Sequence, residues 1–591
     1  MSDYAAPLAD IRFTLAKIAG LENVLALEGF EDVTPDLVDA VLDEADKFAG
    51  GVLAPLSRIG DTQGARLENG VVRMPDGFPE AYQAYVDGGW NGPPFSPEYG
   101  GQGLPWLVTT ALNEIWGSAN LGFSLGPLLT QGAVELLQAH AAPEHKETFL
   151  EAMVTGRWTG TMNLTEPQAG SDVGALRTKA LRDGDHYRIS GQKIFISYGD
   201  HEMAENIIHL VLARTEGAPD GIKGISLFIV PKFLVNEDGS LGQRNDLRAG
   251  SLEHKLGIHA SPTAVMLFGE NEGAVGYLIG EECRGIEYMF TMMNNARLGV
   301  GLQGLSVAER AYQQAVAFAK DRVQMRDAVN GGKEAVTIIH HPDVRRMLLR
   351  MRAQVEAMRC LAYEAAAGLD LAKHLPDPDA KKLAQRRVDL MIPIVKAWST
   401  DVGLEVASTN IQVHGGMGFI EETGAAQHLR DVRISSIYEG TNGIQSIDLV
   451  GRKLGRDGGE AMALLAQEMA ATLDELRGHD DADLAAIVEP LTEGLESLER
   501  TTRWMVEHIG QQPGEALAGA TSYMKLAGYV VGGWYMARAA LATAGRDDDF
   551  AKQKRQVARF FAEQLIPEGT AMERPITAGG ALVAAMSVDA F

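Results

Sequence analysis

The hydrophobic period changes twice along this chain, and that constrains the fold more than any other feature. From about Thr34 to Gly156 apolar residues recur at helical spacing; in DLVDAVLDEADKFAGGVLAPL the pattern predicts Leu37, Val41, Leu42 and Ala45 on one face. Between Trp158 and about Gly280 the period moves toward two. The runs HYRISGQKIFIS, NIIHLVLART and GISLFIVPKFLV are short, rich in Ile, Val and Phe, and bounded by Asp-Gly, Gly and Pro. From Glu287 to about Gly455 long amphipathic stretches return, among them DVRRMLLRMRAQVEAMRCLAYEAAAGL, and helices of that length with few breakers predict a bundle. The RDGGE stretch at Arg456 to Glu460 reads as a linker, followed by further helix to Phe591. The expectation is an α+β chain, mostly α. It has a helical domain over 1–157, a β domain over 158–280, a bundle over 281–455 and a helical extension over 456–591. A chain of 591 residues exceeds what a single core supports, which agrees with several domains.

Charge narrows the partners. The formal net charge of −26 repels phosphate polymers and anionic lipid, so neither nucleic acid nor a membrane surface is expected to bind. The extension alone carries 12 Lys/Arg against 21 Asp/Glu; its one basic cluster, KQKRQVAR at Lys552 to Arg559, reads as a solvated helix face. Two cysteines, Cys283 and Cys360, exclude a disulfide framework and fit a reducing cytoplasm. The opening MSDYAAPLADIRFTLAKIAG has acids among its apolar residues, so no secretory signal is predicted. No run reaches the roughly 18 to 20 apolar residues of a membrane helix.

Three segments could carry chemistry. In TMNLTEPQAGSDVGA, Pro167 and Gly170 force a turn whose amides and hydroxyls, from Thr165 and Ser171, can hold a ring or a phosphate. In GQKIFISYGDH, Phe195 and Ser197 stand two apart on a strand and so share a face, one aromatic and one polar. In QVHGGMGFIEETGAAQHLRDVRISSIYEGTNGIQ, Gly415, Gly416 and Gly418 permit close backbone approach, and Tyr438-Glu439-Gly440-Thr441 precedes a new helix. Each alone reads as a turn, a core strand or a loop; the strand–GxGxxG–helix context of a dinucleotide fold is absent.

Together with EYGGQGLP, EHKLGIHASPT, NNARLGVG and DRVQMRD, and in this order, these segments resemble the acyl-CoA dehydrogenase family from about Thr34 to Gly455. The resemblance implies that family's fold: an N-terminal helical domain, a middle β-barrel and a C-terminal helical bundle, here with an extra helical domain. It implies FAD as cofactor, in a cleft between β domain and bundle, and α,β-dehydrogenation of an acyl-CoA thioester. By the same match Leu164, Thr165 and Ser171 lie along flavin and substrate entrance, and Phe195, Ile196 and Ser197 pack on the isoalloxazine. Arg322 pairs with the pyrophosphate, as its fork-shaped donor set suits. Gln412, Gly415 and Gly416 reach the FAD of a neighbouring subunit, so a homodimer or dimer of dimers is implied, and Thr441 and Asn442 touch the cofactor. Glu439 is the implied base. Some relatives carry the base immediately before the arginine that matches Arg297; here that position is Ala296, which takes no proton. Ser171, Asn294, Arg297, Tyr438 and Gly440 are the implied substrate contacts, Asn294 standing where some relatives have an acid. No metal is implied.

The opening YAAPLADIRFTL, the segment HHPDVRRML and the extension resemble a longer bacterial branch of the family. That implies 3-(methylthio)propanoyl-CoA, from dimethylsulfoniopropionate degradation, as substrate and 3-(methylthio)acryloyl-CoA as product, with electrons passed to electron-transferring flavoprotein. Ordinary short-, medium- or long-chain fatty acyl-CoAs are the alternative. An acyl-CoA oxidase and a DNA-associated homologue are the rivals, and the acidic extension opposes the latter.

Overall fold

One long strand organises the β region. His186–Ser197 takes different neighbours along its two halves. Its first half pairs antiparallel with Lys179–Asp183 on one edge and with Ala274–Leu278 on the other, while its second half pairs with Thr263–Phe268. From Ala274–Leu278 the sheet continues through Ser226–Pro231 to Asn206–Thr215, which meets Lys179–Asp183 again in parallel and so closes the barrel. Ile189, Ile196, Val211, Phe228, Val230, Met266 and Phe268 fill its interior. The structure, a computed structural model, describes residues 4–591, the side chain of Asn294 excepted.

The described residues fall into two compact units, one of 47–104 and 119–296, the other of 4–46, 105–118 and 297–591. In the first, strand Trp158–Asn163 lies beside Asn206–Thr215 and packs under helix Leu121–His140. Gly160 permits that contact, since a Cβ there would come within 2.5 Å of Ala133. A small hairpin, Arg66–Glu68 with Val71–Arg73, interrupts the expected helical region.

In the second unit, helices Pro342–His374 and Pro378–His414 form an antiparallel pair, with Asp377 capping the latter through the N–H groups of Asp379 and Ala380. The part of helix Gly285–Asp321 from Arg297 onward crosses Pro378–His414 at backbone contact. A Cβ on Gly304 would stand 2.3 Å from the Ser399 carbonyl oxygen, and one on Gly403 would stand 2.6 Å from that of Gly304. The extension contributes helices Glu460–Arg477, Ala482–Gln511, Pro513–Leu541 and Asp549–Gln564. Gly528 leaves room for the Trp398 ring, which a Cβ would meet at 2.2 Å.

Two expectations are corrected. In helix Pro35–Phe48 the inward stripe is Val38, Leu42 and Ala45, while Leu37 is exposed and Val41 half-buried; helical spacing from Leu42 selects Val38, four residues back. The KQKRQVAR face is not simply solvated, because Lys554 and Arg555 are buried. Lys554 Nζ donates to Glu356 at 2.9 Å and to Asp10, and Arg555 pairs with Asp481 at 3.0 Å. The Lys554 contacts belong to a buried network in which Arg359 donates to Glu114 (2.6 Å), Glu309 (2.7 Å) and Asp10, with Tyr363 on Glu114 at 2.6 Å. It ties five helices together, and Asp10 is held at about 2 because Lys554 and Arg359 outweigh the cost of burial. Arg359→Met strands Glu114 without its cation, and breaking a buried pair on one side costs about 3–5 kcal/mol. A clear fall in the thermal unfolding midpoint is expected; an unchanged midpoint contradicts this reading of the network.

Candidate active site

The turn Tyr438–Thr441 is conformationally expensive. Glu439 has φ +55° and Gly440 φ +78°, so a glutamate sits in the left-handed region that glycine favours. Four contacts hold it there. Gln445 Nε2 donates to the Glu439 carbonyl at 3.0 Å, and Thr441 Oγ1 caps helix Asn442–Ile447 by accepting from Ile444 N at 3.2 Å. Lys396 Nζ donates to the Gly440 carbonyl at 2.8 Å, and the Tyr438 hydroxyl donates to Gln303 Oε1. The glycine crossing supplies the partners: Arg297, Gly301 and Gly304 share one helical face, as do Lys396, Thr400 and Gly403 on the other helix.

Glu439 itself is half-buried, and among the described residues neither its carboxylate nor its N–H has a hydrogen-bond partner. Burial raises its carboxyl above the ordinary value, and the charges of Arg297 and Lys396 pull it part of the way back. Arg297 is buried, 3.6 Å from Asp448, and burial lowers its own pKa. Such a carboxylate, short of water, unpaired and raised above its ordinary pKa, has the character of a general base.

In the first unit the segment Leu164–Ser171 is pinned by a buried ion pair. Glu166 Oε1 accepts from Lys193 Nζ (2.9 Å), Thr178 Oγ1 (2.6 Å) and Thr178 N (3.0 Å), and Oε2 accepts from Arg177 N (2.7 Å). Lys193 also donates to the Leu164 carbonyl at 3.0 Å, and Ile194 N to that of Thr165 at 2.9 Å. Leu164 and Thr165 are thereby held half-buried, with Ser171 exposed. Beside them the strand kinks. Phe195 has φ +60° and is 59% exposed, Ser197 is half-buried, and Ile196 points into the barrel core, so Ile196 can meet a ligand only through its backbone.

In the second unit Arg322 is exposed and its guanidinium has no partner among the described residues. Gln412, Gly415 and Gly416 are exposed at the end of helix Pro378–His414, and a Cβ on either glycine would meet only open space. Asn442 is buried, its amide spent on Lys396, Ala397, Thr400 and Asp401. Asn294 lies on helix Gly285–Asp321, its side chain outside the described residues. Within the first unit the exposed Phe195 ring on a strained backbone suits a flat group, and within the second the open glycines and the Arg322 guanidinium suit an anionic one. No described cluster of His, Cys, Asp and Glu could hold a metal ion, and no described helix is long and apolar enough to cross a membrane.

Sequence reasoning missed Glu166 and Lys193 as a pair, although both lie inside quoted motifs. It also missed Lys396, whose signal was a lone charge in the apolar run MIPIVKAW, and Gln303.

The barrel and the bundle are those of an acyl-CoA dehydrogenase, and family models match four segments between residues 38 and 587. The acyl-CoA dehydrogenase N-terminal domain matches residues 38–157, the middle domain 161–270 and the C-terminal domain 283–454, with an acetyl-CoA dehydrogenase C-terminal-like model over 465–587. The chain belongs to the acyl-CoA dehydrogenase family and is an FAD-dependent oxidoreductase. It is 47% identical, over 98% of both chains, to 3-methylmercaptopropionyl-CoA dehydrogenase of Ruegeria pomeroyi. To a butyryl-CoA dehydrogenase of Syntrophomonas wolfei it is 35% identical, over 96% of this chain and 95% of that one. The solved structure of Caenorhabditis elegans ACDH-11 in complex with C11-CoA shares the fold, with TM-score 0.79, 21% identity, and coverage of 96% of this chain and 92% of that one.

The Glu166 clamp predicts a pH dependence. Burial alone would raise the carboxyl; Lys193, Thr178 and the Arg177 N–H override it and hold it at about 2. A folded pKa below the unfolded value of about 4.3 means the stabilisation is complete above that value and is lost as pH falls toward about 2. Glu166→Gln should therefore speed amide hydrogen exchange at Arg177 and Thr178 most at neutral pH, with the difference from wild type shrinking below about pH 4. Equal exchange in the two proteins at neutral pH would overturn the clamp.

Proposed function

We propose that Glu439 removes the α-hydrogen of a short acyl-CoA thioester, foremost 3-(methylthio)propanoyl-CoA, giving 3-(methylthio)acryloyl-CoA. One observation carries the base: a desolvated, unpaired carboxylate on a strained turn with two cations nearby. Bound FAD supplies the acceptor for the β-hydride. The protein's own contribution is to hold a proton acceptor in place and to exclude water from it. The free N–H of Glu439 is suited to donate to the thioester oxygen as enolate charge develops, where a preorganised donor is worth more than in water. Arg297 restrains the rise in the base's pKa; Tyr438 and Gly440 are assigned to the substrate from the second unit, and Ser171 and Asn294 from the first.

For the cofactor, Leu164, Thr165, Ser171, Phe195 and Ser197 are assigned to the flavin from the first unit, with Ile196 acting through its backbone. From the second unit, Arg322 is assigned to a pyrophosphate and Thr441 to the flavin; Asn442, spent inward, contributes main chain and support. Gln412, Gly415 and Gly416 are assigned to the FAD of a neighbouring subunit, which makes the assembly a homodimer or a dimer of dimers. The exposed Met417 and Phe419 beside them support a covered surface there. Electron-transferring flavoprotein is the proposed acceptor and the cytoplasm the proposed compartment.

The Ruegeria relative supports the methylthio substrate and a place in dimethylsulfoniopropionate degradation; the Syntrophomonas relative supports a general short-chain substrate. Sulfur fills about the space of a methylene, and one such group discriminates by only roughly 1–3 kcal/mol, so butanoyl- and pentanoyl-CoA should also react. The test is kcat/KM for methylthiopropanoyl, butanoyl, octanoyl and palmitoyl thioesters with one artificial acceptor. The first two should lead, and a preference for palmitoyl would overturn the substrate assignment.

A further inference from the structure

Lys396 is completely enclosed on helix Pro378–His414, a rare place for an ammonium. Its ammonium donates to two atoms of the base segment, the Gly440 carbonyl and Asn442 Oδ1, each at 2.8 Å. Asn442 relays the hold, its amide donating to Ala397 O, Thr400 Oγ1 and Asp401 Oδ1 at 3.1, 2.9 and 2.7 Å. The peptide that follows Glu439 is therefore gripped from the helix beneath it. No described carboxylate lies within ion-pair distance of Lys396, whereas Arg297 shares its charge with Asp448 at 3.6 Å.

We propose that Lys396 is a positioning residue for the base: its ammonium, held on the Gly440 carbonyl and Asn442, locks the left-handed Glu439–Gly440 turn and fixes a positive charge in the base segment. The proposal rests on Glu439 being the base. The charged groups around Lys396 are Glu439, Asp401 and Arg297, and Asp401 is in turn faced by Arg433 and Lys525. Burial brings Lys396 down to about 8 against the pull of Glu439 and Asp401, so it is charged at neutral pH and sheds its proton under mildly alkaline conditions. A buried cation that lacks a carboxylate contact of its own directs its field at the nearest acid, and removing that field must raise the acid's pKa. Trp398, two residues on and lodged against Gly528, fixes the helix that carries Lys396.

The experiment is the pH dependence of single-turnover flavin reduction in the holoenzyme, for wild type, Lys396→Gln and Lys396→Arg. Gln keeps a donor for the Gly440 carbonyl but no charge. Its acid limb should move upward by about half a pH unit or more, with a plateau lowered about tenfold, while Arg keeps the wild-type acid midpoint. A wild-type midpoint in Lys396→Gln, or an equal shift in Lys396→Arg, overturns the proposal. If Lys396→Gln does not retain flavin, Lys396→Arg decides through its alkaline limb. That limb should move to higher pH, because guanidinium keeps its proton where Lys396 loses it; an unmoved limb overturns the proposal. Glu439→Gln is run alongside: near wild-type reduction in that enzyme would mean that the reading of the base fails, whatever the Lys396 variants do.

Discussion

Gly301, Gly304 and Gly403 let two long helices touch backbone to backbone, and the geometry around Glu439 depends on that contact. Any side chain at these places would force the helices apart, since a Cβ would come within 2.3 Å of main chain at Gly304 and 2.6 Å at Gly403. The separation would withdraw Lys396 from the Gly440 carbonyl and Gln303 from the Tyr438 hydroxyl together. Interiors are close-packed and transmit such displacements rather than absorbing them. The crossing is thus a structural device with a chemical consequence, because it brings charged and amide groups from separate helices to one strained turn.

That turn balances two opposing tendencies. Burial raises the Glu439 carboxyl and makes it a stronger base once ionised, while two cations restrain that rise. Neither cation forms a salt bridge with it, which would fill the lone pairs that must receive a proton. The same logic is reversed at Glu166, where Lys193 and four further donors, from Gln168, Arg177 and Thr178, saturate the carboxylate and leave it chemically silent but mechanically useful. One protein holds a desolvated glutamate in each role, and the difference lies in hydrogen-bond satisfaction rather than residue type.

Much of this was legible in the residues. The change of period indicated the barrel and the bundle, and the ordered motifs indicated the family. Local spacing could not reveal partners distant in sequence: Lys193 lies 27 residues from Glu166, and Lys396 lies 44 from Gly440. The register of helix Pro35–Phe48 slipped by one position because Leu37 and Val38 are both apolar and only packing chooses between them. The cluster around Lys554 misled for the same reason, since its buried carboxylates come from Asp10 and Glu356, on other helices. Ile196 sits beside Phe195 in the motif, but strand alternation sends it into the core.

The central claim, that Glu439 is the base, is tested most directly without flavin reduction. An acyl-CoA carrying an ether oxygen at the β position cannot lose a hydride there, so any chemistry at its α-carbon is proton transfer alone. With that thioester saturating the holoenzyme in D2O, mass spectrometry follows the replacement of α-hydrogen by deuterium. Wild type should exchange readily, and Glu439→Gln should be slower by roughly a thousandfold, the scale of a positioned general base. Equal exchange in the two enzymes would contradict the assignment.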